Sequence, residues 1–68
     1  MAIYYVNKRE SAKGKHEVHC IGCTYMPKDD SKLYLGDYMS CKSAVRKAGD
    51  FYNDVEGCSY CCGECSLK

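Results

Sequence analysis

Apolar and polar positions alternate at the start of the chain. From Ala2 to Lys8, Ile3 and Tyr5 fall on one face and Tyr4 and Val6 on the other, in a run rich in β-branched and aromatic residues. That period of two predicts a strand. The polar segment Arg9 to Lys15, with Gly14, turns the chain, and strand character resumes from His16 to Ile21 around Val18. A third strand is predicted over Lys32 to Gly36, with Leu33 and Leu35 on one face. The intervening loop carries Pro27, Asp29, Asp30 and Ser31, where Pro presets its own φ and Asp side chains bond nearby backbone groups. The period then changes. Cys41, Ala44, Val45, Ala48 and Tyr52 form one helical stripe, with Lys42, Arg46, Lys47 and Asp50 off it. Ser40 is the predicted N-cap, Gly49 a mild weak point within the helix, and Asn53 with Gly57 the stop. The pattern predicts one α+β domain over residues 1–68. It is a small three-stranded antiparallel sheet with one helix and a cysteine-rich C-terminal segment from Gly57 that folds back on the second strand.

Size makes that fold marginal. A chain of 68 residues removes only about three fifths of its unfolded surface from water, so a staple is expected. The seven cysteines supply candidates: Cys20 and Cys23, then Cys41, then Cys58, Cys61, Cys62 and Cys65. Which staple forms depends on compartment. The apolar stretch Ala2 to Val6 is too short for a secretion signal, and no run approaches a membrane span. The reading is therefore cytoplasmic, where closely spaced cysteines and a histidine are better explained by a metal than by disulfides.

The spacing carries that idea to residues. His19-x-x-x-Cys23 lies at the end of the second strand and Cys58-x-x-Cys61 beyond the helix. Each pair can chelate one ion from a tight turn, and together they complete the tetrahedron of a closed structural Zn²⁺ site. The predicted ligands are His19, Cys23, Cys58 and Cys61. Cys20 paired with Cys23 is a competing register, and Cys62-x-x-Cys65 a competing second pair, so Cys20 or Cys65 in place of His19 stays open. Cys41 sits on the apolar stripe and reads as core, and His16, beside Glu17, as a surface residue.

These residues also carry a resemblance. A strand, His19-x-x-x-Cys23, the turn Leu35-Gly36-Asp37-Tyr38, a helix and Gly57-Cys58-x-x-Cys61 look like small cysteine-rich bacterial proteins of similar length. More distantly they resemble the N-terminal metal-binding domain of the Ada DNA-repair protein. In that domain all four ligands are cysteines, and a zinc-bound thiolate of the first pair accepts a methyl group from a DNA phosphotriester. The matching position here is His19, whose imidazole lacks that chemistry. Cys20 as the ligand would restore it.

Charge and spacing exclude more than they assign. The formal charge is +1; three thiolates subtract three and a zinc ion restores two, leaving a neutral chain with little pull on nucleic acid or an anionic membrane. Lys42, Arg46 and Lys47 read as a solvated helix face rather than a nucleic-acid contact, and no membrane association is expected. His16-Glu17-Val18-His19 is one residue short of a zinc-protease motif, and the His-x-Glu with Pro-Cys-x-x-Cys of base deaminases is missing. The expected protein is a non-enzymatic, zinc-stabilised binding module with a protein partner. A thiol-redox or alkyl-accepting protein is one alternative, and a nucleic-acid-contacting module using Lys42, Arg46 and Lys47 is another.

Overall fold

The computed structural model describes residues 2–12 and 14–63. It contains strands β1 (Ala2–Asn7), β2 (His16–Cys20) and β3 (Lys32–Tyr38), helix α1 (Cys41–Ala48) and strand β4 (Val55–Gly57), with a 3₁₀ turn at Asp29–Ser31. The α+β class with one helix is as expected, but the sheet is four-stranded and mixed, in the order β3-β1-β2-β4. β1 pairs antiparallel with both β2 and β3, whereas β4 pairs parallel with β2, His16 opposite Val55 and Val18 opposite Gly57. The three-stranded antiparallel prediction is corrected on this point. β4 is only Val-Glu-Gly, too short to display a period, and its pairing depends on α1 carrying the chain across the sheet. Hydrogen bonds from His16 N–H to Asp54 (2.8 Å) and from Cys58 N–H to Val18 (2.9 Å) bracket the added strand.

Tyr4 and Val6 of β1 face Cys20 and Val18 of β2 on one side of the sheet. The helix covers that side with Cys41, Ala44 and Ala48, and Leu35 completes the core. Of the nine buried apolar residues among those described, five are Ala or Cys, so the core is thin and contributes little per residue. Tyr4 lies inside it and Tyr52 packs against it. Tyr34 is 58% exposed because it pairs with Tyr5 on the opposite face, ring to ring at 5.7 Å.

The third strand runs two residues further than predicted. The stretch Leu35-Gly36-Asp37-Tyr38, read as a turn, belongs to β3, and the pairing slips by one residue opposite Tyr4 and Tyr5. Gly36 takes φ 130°, and a Cβ there would meet the Tyr38 ring at 3.3 Å. Leu33 and Leu35 keep the shared face predicted for them, and the bulge brings Gly36 opposite Tyr4. The helix, in turn, is shorter than its stripe: it ends at Ala48, and Gly49 caps it by donating to the carbonyls of Val45 and Arg46. Tyr52 therefore reaches the core from beyond the helix. Ser40 occupies the N-cap with extended backbone, yet its hydroxyl makes no capping bond.

Cys41 is more than packing. It is 3% exposed and disulfide-bonded, whereas Cys20, Cys23, Cys58, Cys61 and Cys62 are free thiols. Among the described residues no helix is long and apolar enough to cross a membrane.

Candidate metal centre

Two chain reversals build the site. After β2, residues 20–23 form a turn closed by Cys23 N–H to the Cys20 carbonyl at 3.1 Å, with Gly22 at φ 90°. The turn folds Cys23 back toward the end of the strand, where its Sγ lies 3.5 Å from His19 Nδ1. A side chain at Gly22 would touch nothing within 4 Å, so only the left-handed backbone restricts the position. Gly22→Ala should cost about 1–2 kcal/mol, the penalty of that conformation for a residue with a Cβ. Chemical denaturation of the metal-loaded protein measures it, and an unchanged midpoint would mean that the turn relaxes freely.

The second reversal follows β4. Parallel pairing with β2 brings Cys58, 2% exposed, to the same end of the sheet. Tyr60 N–H donates to Cys58 Sγ at 3.5 Å and Cys62 N–H to the Cys58 carbonyl at 2.8 Å, a tight turn that presents Cys61. The candidate ligand atoms of His19, Cys23, Cys58 and Cys61 all lie within 4.8 Å of one another, a group that can hold a metal ion.

The donor spacing is informative. Metal–sulfur bonds of about 2.3 Å and a metal–nitrogen bond of about 2.0 Å give a tetrahedron whose sulfur–sulfur edges are about 3.8 Å and sulfur–nitrogen edges about 3.5 Å. Cys23 Sγ is 3.9 Å from Cys58 Sγ and 3.5 Å from His19 Nδ1. These two edges fit a tetrahedral thiophilic ion, the other donor separations lie within 4.8 Å, and sulfur and imidazole donors do not suit Mg²⁺ or Ca²⁺, which take oxygen ligands.

Regular strand geometry distinguishes His19 from Cys20. β2 continues through Cys20, which pairs with Tyr4, while His19 pairs with Tyr5; consecutive side chains point to opposite faces. The Cys20 side chain packs against the helix-side core. Its backbone contributes instead, donating N–H to Cys61 Sγ at 3.4 Å. Cys62 is 2% exposed within that core, its Sγ 3.9 Å from Cys61 Sγ. Cys65 lies outside the described residues.

His19 is 1% exposed, and its Nε2 is buried without a hydrogen bond. Glu17 Oε1 is 3.7 Å from that nitrogen. With Nδ1 facing the sulfurs, Nε2 carries the proton, and a small closure gives the carboxylate–imidazole contact that holds ligating histidines in tautomer and orientation. Sequence reading placed Glu17 beside His16; alternation along β2 puts it with His19. Glu17→Gln should lower metal affinity about tenfold to a hundredfold while leaving the four ligands in place, measured by competition with a chromogenic chelator. Affinity equal to wild type would remove Glu17 from the site. His16 is placed elsewhere: its ring stacks on Tyr52 at 3.8 Å and its Nδ1 is 2.9 Å from the Asn7 carbonyl, to which it donates.

The electrostatics suit a cation. Burial lowers the His19 pKa below its usual 6.5, keeping the imidazole neutral. Burial, chiefly, pushes the Cys61 and Cys62 thiols up, with neighbouring sulfurs adding to it. A metal ion removes that resistance at its ligands, since it stabilises thiolates outright. Beside the cluster, Tyr25 and Tyr60 stack at 4.2 Å and stand 55% and 72% exposed. Their mutual hydrogen bond raises the Tyr25 pKa, and Cys23 and Cys58 add to the shift, so the pair borders the sulfurs.

No protein-family model matches this chain, nor does any curated protein or solved structure. The Ada-type resemblance therefore gains no support from relatives, and the functional reading rests on the residues themselves.

Proposed function

We propose that the protein is a small, non-enzymatic binding module whose fold is stapled by one structural zinc ion held by His19, Cys23, Cys58 and Cys61. The convergence of these four donors within 4.8 Å of one another, with two edges at tetrahedral lengths, carries the reading. Zinc fits because three thiolates and an imidazole are among its usual structural donor sets. Bound there, zinc would tie the end of β2 to the turn that follows its edge neighbour β4. Four protein ligands fill the coordination shell, so no position is left to bind and acidify water, the requirement of a hydrolytic zinc enzyme.

The binding role draws on the exposed aromatic residues beside the centre, Tyr25 and Tyr60, with Ile21 57% exposed on the neighbouring turn. Amphipathic tyrosines are favoured at protein interfaces, and a protein partner suits them better than nucleic acid. On α1, Lys47 already pairs with Asp50 at 3.7 Å and lies over Phe51, which leaves Lys42 and Arg46 as a weak basic patch at a formal charge of +1.

Native mass spectrometry of protein purified without added metal tests the proposal. One zinc per chain is expected, with no metal-dependent hydrolysis of peptide, ester or nucleotide substrates. Metal-free folded protein, or metal-dependent turnover that persists through purification, would overturn it.

A further inference from the structure

The three candidate sulfur ligands are not equivalent. Cys58 is buried, and its Sγ accepts the Tyr60 N–H. Cys61 is half-buried, but its Sγ accepts the Cys20 N–H and the side chain lies against the core. Cys23 is also half-buried, sits on an exposed turn, and its Sγ accepts no backbone N–H among the described residues; its neighbours are His19 Nδ1 at 3.5 Å, Cys58 Sγ at 3.9 Å and Cys61 Sγ within 4.8 Å. Hydrogen bonds to a metal-bound sulfur withdraw electron density from it. Thiolate character and access together decide which cysteine oxidises first.

From this arrangement we infer that Cys23 is an oxidation site for hydroperoxides, with Cys58 as its resolving partner, so that the metal centre opens under oxidant. The inference rests on the zinc reading for its consequence, and on the sulfur environments for its order of events.

Each step balances. The Cys23 thiolate attacks one oxygen of the hydroperoxide, the O–O bond breaks, and the other oxygen leaves as alkoxide or hydroxide; sulfur loses two electrons and becomes a sulfenic acid. Cys58 sulfur, 3.9 Å away, then attacks the sulfenyl sulfur. An S–S bond forms, the S–O bond breaks and hydroxide departs. Two thiolates have been consumed for one hydroperoxide reduced, leaving only His19 and Cys61 of the proposed set, too few to retain zinc. Cys62 offers a competing route, because its Sγ is equally distant from Cys61 Sγ. It is nevertheless buried in the core, and Cys61 is the shielded partner.

The experiment treats the full-length protein with limiting hydrogen peroxide after its metal content has been measured. A chromogenic chelator follows zinc release, dimedone traps the first sulfenic acid, and non-reducing peptide mapping locates disulfides. The first adduct is expected on Cys23, followed by a Cys23–Cys58 disulfide and loss of the bound zinc in step with it. Cys62→Ser should retain this order and rate. A first adduct on Cys61 or Cys62, a Cys23–Cys61 or Cys61–Cys62 linkage, or zinc that stays bound after Cys23 is oxidised would overturn the inference. Metal content before oxidant reads the staple separately: a zinc-free protein defeats that proposal, while the position of the first adduct still decides the ranking of the sulfurs.

Discussion

Stripping the metal with a strong chelator under reducing conditions should unfold the protein, collapsing its dispersed amide spectrum and its far-ultraviolet strand signal. The apolar core supplies too little to replace the ion. Among the described residues its buried apolar side chains beyond Ala and Cys are Tyr4, Val6, Val18 and Leu35, and a domain of this length leaves much of its surface wet. In a site assembled only by folding, metal binding free energy is folding free energy, on the order of 10 kcal/mol or more for structural zinc near neutral pH. That exceeds the whole stability of many small domains. Acid should act in the same direction. His19 has a lowered pKa in the fold, so below its ordinary value of 6.5 the unfolded chain takes up a proton that the folded chain refuses, and stability falls as pH falls. Thiolate ligands add to this, because protons compete with the metal for them. A chelated, reduced protein that keeps its dispersed spectrum at neutral pH would refute the staple.

Substitution should separate ligands from bystanders sharply. His19→Ala, Cys23→Ser, Cys58→Ser and Cys61→Ser should each abolish stoichiometric zinc, because three donors and a water cannot reproduce a closed tetrahedron in a site already short of core stability. Cys20→Ser should retain zinc, since the backbone N–H of residue 20, not its side chain, reaches the cluster. Cys62→Ser should also retain it while costing roughly 1–3 kcal/mol for a hydroxyl placed in the core. Cys41→Ser should keep the ion but lose the disulfide, a larger cost of about 2–5 kcal/mol. Metal content by mass spectrometry and denaturation midpoints read both quantities. Full zinc retention in His19→Ala would move the fourth ligand to another donor and reopen the alkyl-acceptor reading.

The residues that the structure brings together at the candidate centre were recognisable from their spacing, because each ligand pair is local: a strand end followed by a glycine turn, and a Cys-x-x-Cys segment. Strand β1, the start of β2 and the beginning of α1 were legible for the same reason, since alternation and helical stripe are properties of neighbouring residues. The choice between His19 and Cys20 was not. It depends on β2 staying regular through residue 20, which pairing with Tyr4 enforces. The roles of Glu17 and the Cys20 backbone likewise exist only once the strands are laid side by side.

By itself the sequence determined the α+β class, the three longer strands, the start of the helix and the local donor pairs, because each is encoded within a few residues of chain. Tertiary structure decided the rest. A three-residue β4 has no period of its own and is created by the edge of β2. Gly36 comes opposite Tyr4 through a bulge that only the β1 register reveals. Helix α1 ends at Ala48 although its apolar stripe continues to Tyr52, which stacks on His16 from beyond the helix. The distance between the two donor pairs, 35 residues from Cys23 to Cys58, is closed by a parallel crossover that no local pattern contains.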